Sequence, residues 1–249
     1  MNHTYCWMPA VEGLFSCSDP AVWRGVYEKY WAVVEAKSTG KGKAGKLLAL
    51  DKWYQEELPK LISARSEPHV TRDDLSKLME WKLTRGKFRP RLQQLIESNS
   101  AETVMSCSKK AFALLPNVEA AITELSTLKG MGPATASAVL AAGAGDEAAF
   151  MADESVESIP ELRPVQYTAK HYRLYLDKIT QKTKHLNTVD SGKDWTPHKV
   201  ELCLWAWAVA NKLQPSLLSG LSEFEETLTN QKATKRPASY EKPAKRQKT

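Results

Sequence analysis

Residues 118–142, VEAAITELSTLKGMGPATASAVLAA, restrict the fold more than any other stretch of the chain. Val118, Ile122, Leu125 and Leu128 fall at helical spacing and form one apolar stripe; Val139 and Leu140 continue it on a second helix. Between them lies Leu128-Lys129-Gly130-Met131-Gly132-Pro133. Two glycines around one apolar residue permit a very tight turn, with φ values that other residues resist. Pro133 then opens the next helix with its φ already set. Ala134, Ala136, Ser137 and Ala138 are small, so the two helices can approach closely. The reading predicts that the N–H groups of Gly130, Gly132 and the turn after them point outward at a helix N-terminus. Such a terminus holds phosphate without a cationic side chain. The same residues also suit a glycine-rich turn that only packs.

The pattern elsewhere is helical, and an all-α fold is expected. Residues 20–36 place Trp23, Tyr27, Tyr30, Trp31 and Val34 at helical spacing behind Pro20. The stretch LLALDKWYQEELPKLISA predicts a helix interrupted near Pro59. Thr71 and Asp74 have capping-box spacing ahead of DDLSKLMEWKLT. RLQQLIESN and AETVMSCSKKAFALL supply two more helices. Helices are also expected from about Thr168 to Leu186 and from Pro197 to Leu213, the latter capped by Thr196. Trp205 and Trp207 cannot share a helix face, so they should differ in burial. The expected organisation is an irregular segment 1–19, a helical domain 20–220, and a polar, lysine-rich tail 221–249 expected to be disordered.

Charge narrows the partners. The chain has 35 basic and 29 acidic residues. From Lys232 to Thr249 there are seven basic residues and one acid, which leaves residues 1–231 with 28 of each sign. A uniformly basic body is excluded, so nucleic acid would have to meet a local patch. The longest apolar run, Leu202 to Ala210, is about half a membrane span. Cys6, Cys17, Cys107 and Cys203 lie far apart, and the histidines lack ligand spacing. Neither zinc nor an iron–sulfur cluster is expected. An intracellular protein is expected.

The hairpin residues resemble a helix-hairpin-helix element, whose usual core is L-P-G-V-G-x-x-T-A, with Lys129 in the proline slot. In the helix-hairpin-helix DNA glycosylases a loop after the hairpin ends at a catalytic aspartate. Here GAGDEAAFMAD leads to Asp153, 23 residues after Gly130. The resemblance implies a carboxylate facing the anomeric carbon of an extruded nucleotide, where it stabilises an oxocarbenium-like transition state. Bifunctional members carry a lysine where this chain has Ala134, so Schiff-base chemistry and strand cleavage are not expected. The region is acidic: Asp146, Glu147, Asp153, Glu154, Glu157 and Glu161, with no Lys or Arg from Met131 to Leu162. Four phrases together resemble the Amun-like family of nuclear proteins, a divergent branch of that superfold. They are EWKLTRGKFRPRL (80–92), LKGMGPATASAVLAA (128–142), FMADE (150–154) and WTPHKVELCLWAWAV (195–209). The resemblance spans most of residues 20–213. It implies the glycosylase-like fold and a nuclear location, and it leaves activity open. It also implies a sodium or potassium ion on the backbone carbonyls of Ser126, Leu128 and Met131.

The candidate DNA contacts are therefore Lys129, Gly130, Met131, Gly132, Ala134 and Thr135 of the hairpin. Lys82, Arg85, Lys87, Arg89 and Arg91 join them, five cations in ten residues without an acid. The alternative for the basic run is a solvated face complementing a helix C-terminus. Lys235-Arg236 and Lys245-Arg246-Gln247-Lys248 resemble a bipartite nuclear import signal, which implies an import receptor as partner. Two functions follow. One is a nuclear DNA-binding adaptor without catalysis. The other is a monofunctional DNA glycosylase with Asp153 as catalytic carboxylate. The missing lysine and the acidic surround favour the first.

Overall fold

A computed structural model describes residues 13–39 and 45–221. Residues 1–12, 40–44 and 222–249, which include the import signal of the expected tail, lie outside the described residues. Within them the chain is all-α, with no strand. The helices are α1 (Pro20–Glu28), α2 (Tyr30–Ser38), α3 (Lys46–Lys52), α4 (Leu58–Ser63), α5 (Arg72–Arg85), α6 (Leu92–Glu97), α7 (Ala101–Ala113), α8 (Val118–Leu125), α9 (Pro133–Gly143), α10 (Asp153–Glu157), α11 (Ala169–Val189) and α12 (Pro197–Leu213). No helix among the described residues is long and apolar enough to cross a membrane.

Side-chain caps set several of the boundaries. Thr71 and Asp74 form the full capping box that opens α5. The Thr196 hydroxyl accepts the Lys199 N–H, with Pro197 as the first residue of α12. Asp19, Ser100, Asn117 and Thr168 cap α1, α7, α8 and α11 in the same way.

Two expectations need revision. The 20–36 helix is split at Lys29 into α1 and α2. Pro59 does not interrupt its helix. Trp53–Glu57 widens into a π turn between α3 and α4, and the Leu58 N–H reaches back to the Trp53 carbonyl. Widening relieves the clash between the proline ring and the preceding turn while the helix continues.

α12 runs through the core and packs on α1, α2, α10 and α11. Its residues Val200–Ala206 are all buried, Glu201 included. Trp205 is fully buried and Trp207 half-buried, as the helical register requires. α9 is the second internal helix. Ala134–Ala142 are buried without a break, and their small side chains let α4, α5, α8 and α11 close around it.

Candidate functional site

The turn between α8 and α9 is built from both sides. Gly130 has φ +75°, a conformation L residues resist, and a Cβ there would lie 2.8 Å from the Leu95 Cβ. Gly130 is thus demanded by backbone and packing together. Gly132 differs: its φ is −109°, and a Cβ would meet no protein atom within 4 Å. Nothing in the fold requires a glycine there, so the space above it is free for an approaching molecule.

Asn99 holds this turn in place. Its Oδ1 accepts the Lys129 N–H at 3.0 Å and its Nδ2 donates to the Lys129 carbonyl at 3.0 Å. The same Nδ2 donates to the Ile96 carbonyl at the end of α6 at 2.9 Å. In the chain itself Asn99 is only an asparagine between two serines at a helix break.

The amides of Gly130, Gly132 and Ala134 have no hydrogen-bond partner among the described residues. They stand at the N-terminus of α9, where the helix dipole adds partial positive charge. Three hairpin expectations change. The Met131 N–H is taken by the Leu128 carbonyl at 3.1 Å, and its side chain is core. Thr135 is buried, and its N–H is taken by the Gly132 carbonyl at 2.9 Å. Ala134 offers only its amide, because its side chain is buried. Lys129 is exposed. The Ser126 and Met131 carbonyls accept no hydrogen bond among the described residues, whereas Leu128 accepts one.

The basic run divides in the same way. Lys87, Arg89 and Arg91 are exposed on the segment joining α5 to α6. Between the first two stands Phe88, 71% exposed, the barest large apolar side chain among the described residues. Its setting, a lone aromatic within cations, is legible in GKFRPR. Lys82 is half-buried, and burial lowers its pKa against the opposing pull of Asp153.

Arg85 was expected on a phosphate path, and the structure contradicts this: the residue is 1% exposed. Its guanidinium faces Glu201 at 3.2 and 3.5 Å and Asp51 at 3.8 Å, and lies 4.1 Å from the Trp205 ring centre. Asp51 also accepts the Tyr30 hydroxyl and the Trp81 indole N–H, each at 2.6 Å, and Glu201 accepts the Ser155 hydroxyl at 2.9 Å. Burial would weaken the Arg85 cation, but Glu201, Tyr30 and Asp51 overcome it and raise its pKa. Burial likewise raises the Asp51 and Glu201 carboxyls, with Arg85 pulling both back down.

Asp153 opens α10 at the mouth of a cleft whose floor is Arg85, Phe150 and Trp205. Ala134, Lys82, Lys87, Arg89 and Tyr167 line the same cleft, which brings the hairpin, the basic segment and the aspartate together. The carboxylate is already engaged. Lys87 Nζ lies 2.8 Å from Oδ2, and the Tyr167 hydroxyl donates to both oxygens at 2.8 and 3.0 Å. The Lys87 pKa is raised by this pairing. Arg89 lies over the Tyr167 ring and donates to its hydroxyl at 3.3 Å, closing the cluster. The cleft is small, with about 40 Å³ of free space, room for a few waters. No group of three or more His, Cys, Asp or Glu that could hold a metal occurs among the described residues. Comparison with protein-family models, with curated proteins and with solved structures finds no match to this chain.

Proposed function

We propose that this chain is a DNA-binding protein that grips the phosphate backbone and performs no chemistry on the base. One observation carries the reading: a helix N-terminus with three unpartnered amides beneath a glycine that neither backbone nor packing requires. Such a surface takes a phosphate on dipole and N–H groups alone. Lys129 stands exposed in the turn, Lys87 and Arg89 line the cleft that Ala134 also lines, and with the exposed Arg91 they would extend contact along the backbone. Phe88, exposed among them, suits stacking against an accessible base. The engaged state of Asp153 and the small cleft support a reading without catalysis.

The resemblance to Amun-like proteins agrees with a glycosylase-like helical fold and a nuclear location. The two basic clusters of the tail serve as import signal on this reading, and the receptor that reads them is a partner. Exchanging Lys245, Arg246 and Lys248 for alanine should shift a fluorescent fusion from nucleus to cytoplasm. The free Ser126 and Met131 carbonyls fit a sodium or potassium ion, whose charge would strengthen the turn's hold on phosphate.

The test is fluorescence anisotropy with a labelled duplex at low salt. A grip on three or four phosphates gives a slope of log affinity against log salt of about −3. Gly132→Asp should weaken binding about tenfold or more while leaving the fold intact. Unchanged affinity would reduce the turn to a packing element.

A second reading, a monofunctional glycosylase without lyase activity, is favoured by Asp153 lining the cleft that Ala134 also lines. It requires Lys87 and Tyr167 to release the carboxylate and the cleft to widen. Base release from duplexes carrying damaged or mismatched bases, lost in Asp153→Asn, would establish it over the first.

A further inference from the structure

We infer that the DNA this chain selects carries unpaired nucleotides beside a duplex, and that Phe88 stacks on one of their bases. The inference rests on the proposed grip of the hairpin on phosphate and names the form of DNA that suits it.

Phe88 is held outward by its neighbours. Lys87 and Arg89 line the cleft, where Lys87 Nζ pairs with Asp153 at 2.8 Å and Arg89 donates to the Tyr167 hydroxyl at 3.3 Å. Both flanking side chains are thus tethered inside, and the ring between them is 71% exposed. The backbone is braced at both ends of the segment. The Gly86 N–H bonds the Lys82 carbonyl at 3.0 Å, and the Leu92 N–H bonds the Arg89 carbonyl at 3.2 Å. Among the described residues no other aromatic ring and no cation lies over the phenyl group.

Charge fixes the class of ligand. From Trp81 to Ile96 the chain has no acid, and Lys87, Arg89 and Arg91 are exposed around the ring. An aromatic among exposed cations suits a polyanion that also offers flat apolar faces, which describes a nucleic-acid strand with open bases. The turn is within reach of the same strand. Phe88 precedes Leu95 by seven residues, the last three steps on α6, so the two Cα atoms are at most about 19 Å apart. Leu95 abuts the turn, since a Cβ on Gly130 would lie 2.8 Å from the Leu95 Cβ. A strand gripped at the turn can therefore bring a base to Phe88 within about eight nucleotide steps of roughly 3.4 Å each.

The relative costs decide between paired and unpaired bases. In an intact duplex each base face is covered by its neighbours, and opening one step costs about as much as stacking on one side chain returns. Where bases already lie open, that cost is absent. Phe88 thus separates open DNA from closed DNA instead of strengthening both.

Fluorescence anisotropy on the full chain tests this with three labelled probes that share one duplex: blunt, forked into two unpaired arms, and forked into two abasic arms of the same length. The abasic fork carries the same phosphates without bases, so the forked probe should bind about tenfold tighter than it. Phe88→Ala should erase that ratio and Phe88→Trp should keep it. Neither should change the slope of affinity on salt, because stacking releases no counterions. The ring is exposed, so Phe88→Ala should also leave the unfolding midpoint unchanged. Equal affinity for the two forks, or a ratio that Phe88→Ala does not move, would overturn the inference. In that event, blunt-duplex binding that Gly132→Asp weakens would leave the grip on phosphate standing. No binding to any of the probes would remove both.

Discussion

Arg85 and Arg89 stand four residues apart at the end of one helix and the start of the following segment, and they serve opposite ends. Arg85 is sealed among Trp81, Phe150 and Trp205, with two carboxylates from distant helices on its guanidinium. Arg89 is exposed, leans on Tyr167 and lines the cleft that Ala134 of the hairpin also lines. In composition they are the same cation in the same basic run. What separates them is the acid that the rest of the chain brings to each. A charge cluster in a sequence is thus a count of groups, and its function is set by what tertiary packing supplies as counter-charge.

The sharpest way to break this contrast is to delete each arginine. Arg85→Met leaves Asp51 and Glu201 buried without their cation and should cost about 3–5 kcal/mol, measured by denaturant unfolding. Arg89→Ala should change stability by about 0.5 kcal/mol or less while weakening duplex binding. If both variants unfold alike, the division between an inner and an outer basic group is wrong.

The two turn glycines offer a second contrast. Gly130→Ala must adopt φ +75° and push its Cβ against Leu95, so a loss of about 2–3 kcal/mol is expected. Gly132→Ala meets neither obstacle. Its stability should stay within about 0.5 kcal/mol, and any loss would appear in DNA affinity alone. Equal destabilisation of both would show that Gly132 serves the fold.

Much of this frame was legible in the chain itself because it is local. The Thr71–Asp74 box, the Thr196–Pro197 cap and the two glycines act within a few residues of themselves. The widening at Pro59 was not legible, since a proline in a helical pattern reads as a stop until neighbours hold the helix together. The Arg85 cluster was hidden for a different reason: Glu201 pairs across 116 residues of chain. The only trace was an acid inside VELCLWA, an otherwise apolar stretch. Asp153 was found by its spacing to the hairpin, but its engagement by Lys87 and Tyr167 depends on two loops meeting in space.

Acid should separate the interior from the surface. Burial, with the nearby Arg85 cation adding to it, lowers the His198 pKa from 6.5 when free to about 4 when folded. The unfolded chain therefore binds the extra proton first, and stability falls as pH drops from 6.5 toward 4. The shift corresponds to about 3 kcal/mol; because His198 is only half-buried, about 2 kcal/mol is the expected loss. His198→Gln should flatten that portion of the stability curve. A curve that keeps its full slope in this variant would assign the acid sensitivity to other groups.

The smallest expected effect is the most informative about chemistry. Lys87 is 63% exposed and pairs with a carboxylate that is 16% exposed. Such a bridge contributes about 1 kcal/mol at most, so Lys87→Ala should barely move the unfolding midpoint. Its consequence lies in the cleft, where Asp153 would retain only Tyr167 among its present partners. If Asp153 holds a latent catalytic role, freeing it should produce or increase base release in this variant, and Asp153→Asn should abolish it. If Asp153 serves only to anchor Lys87 beside the hairpin, Lys87→Ala should instead weaken duplex binding and lower the salt slope by about one, with no base released.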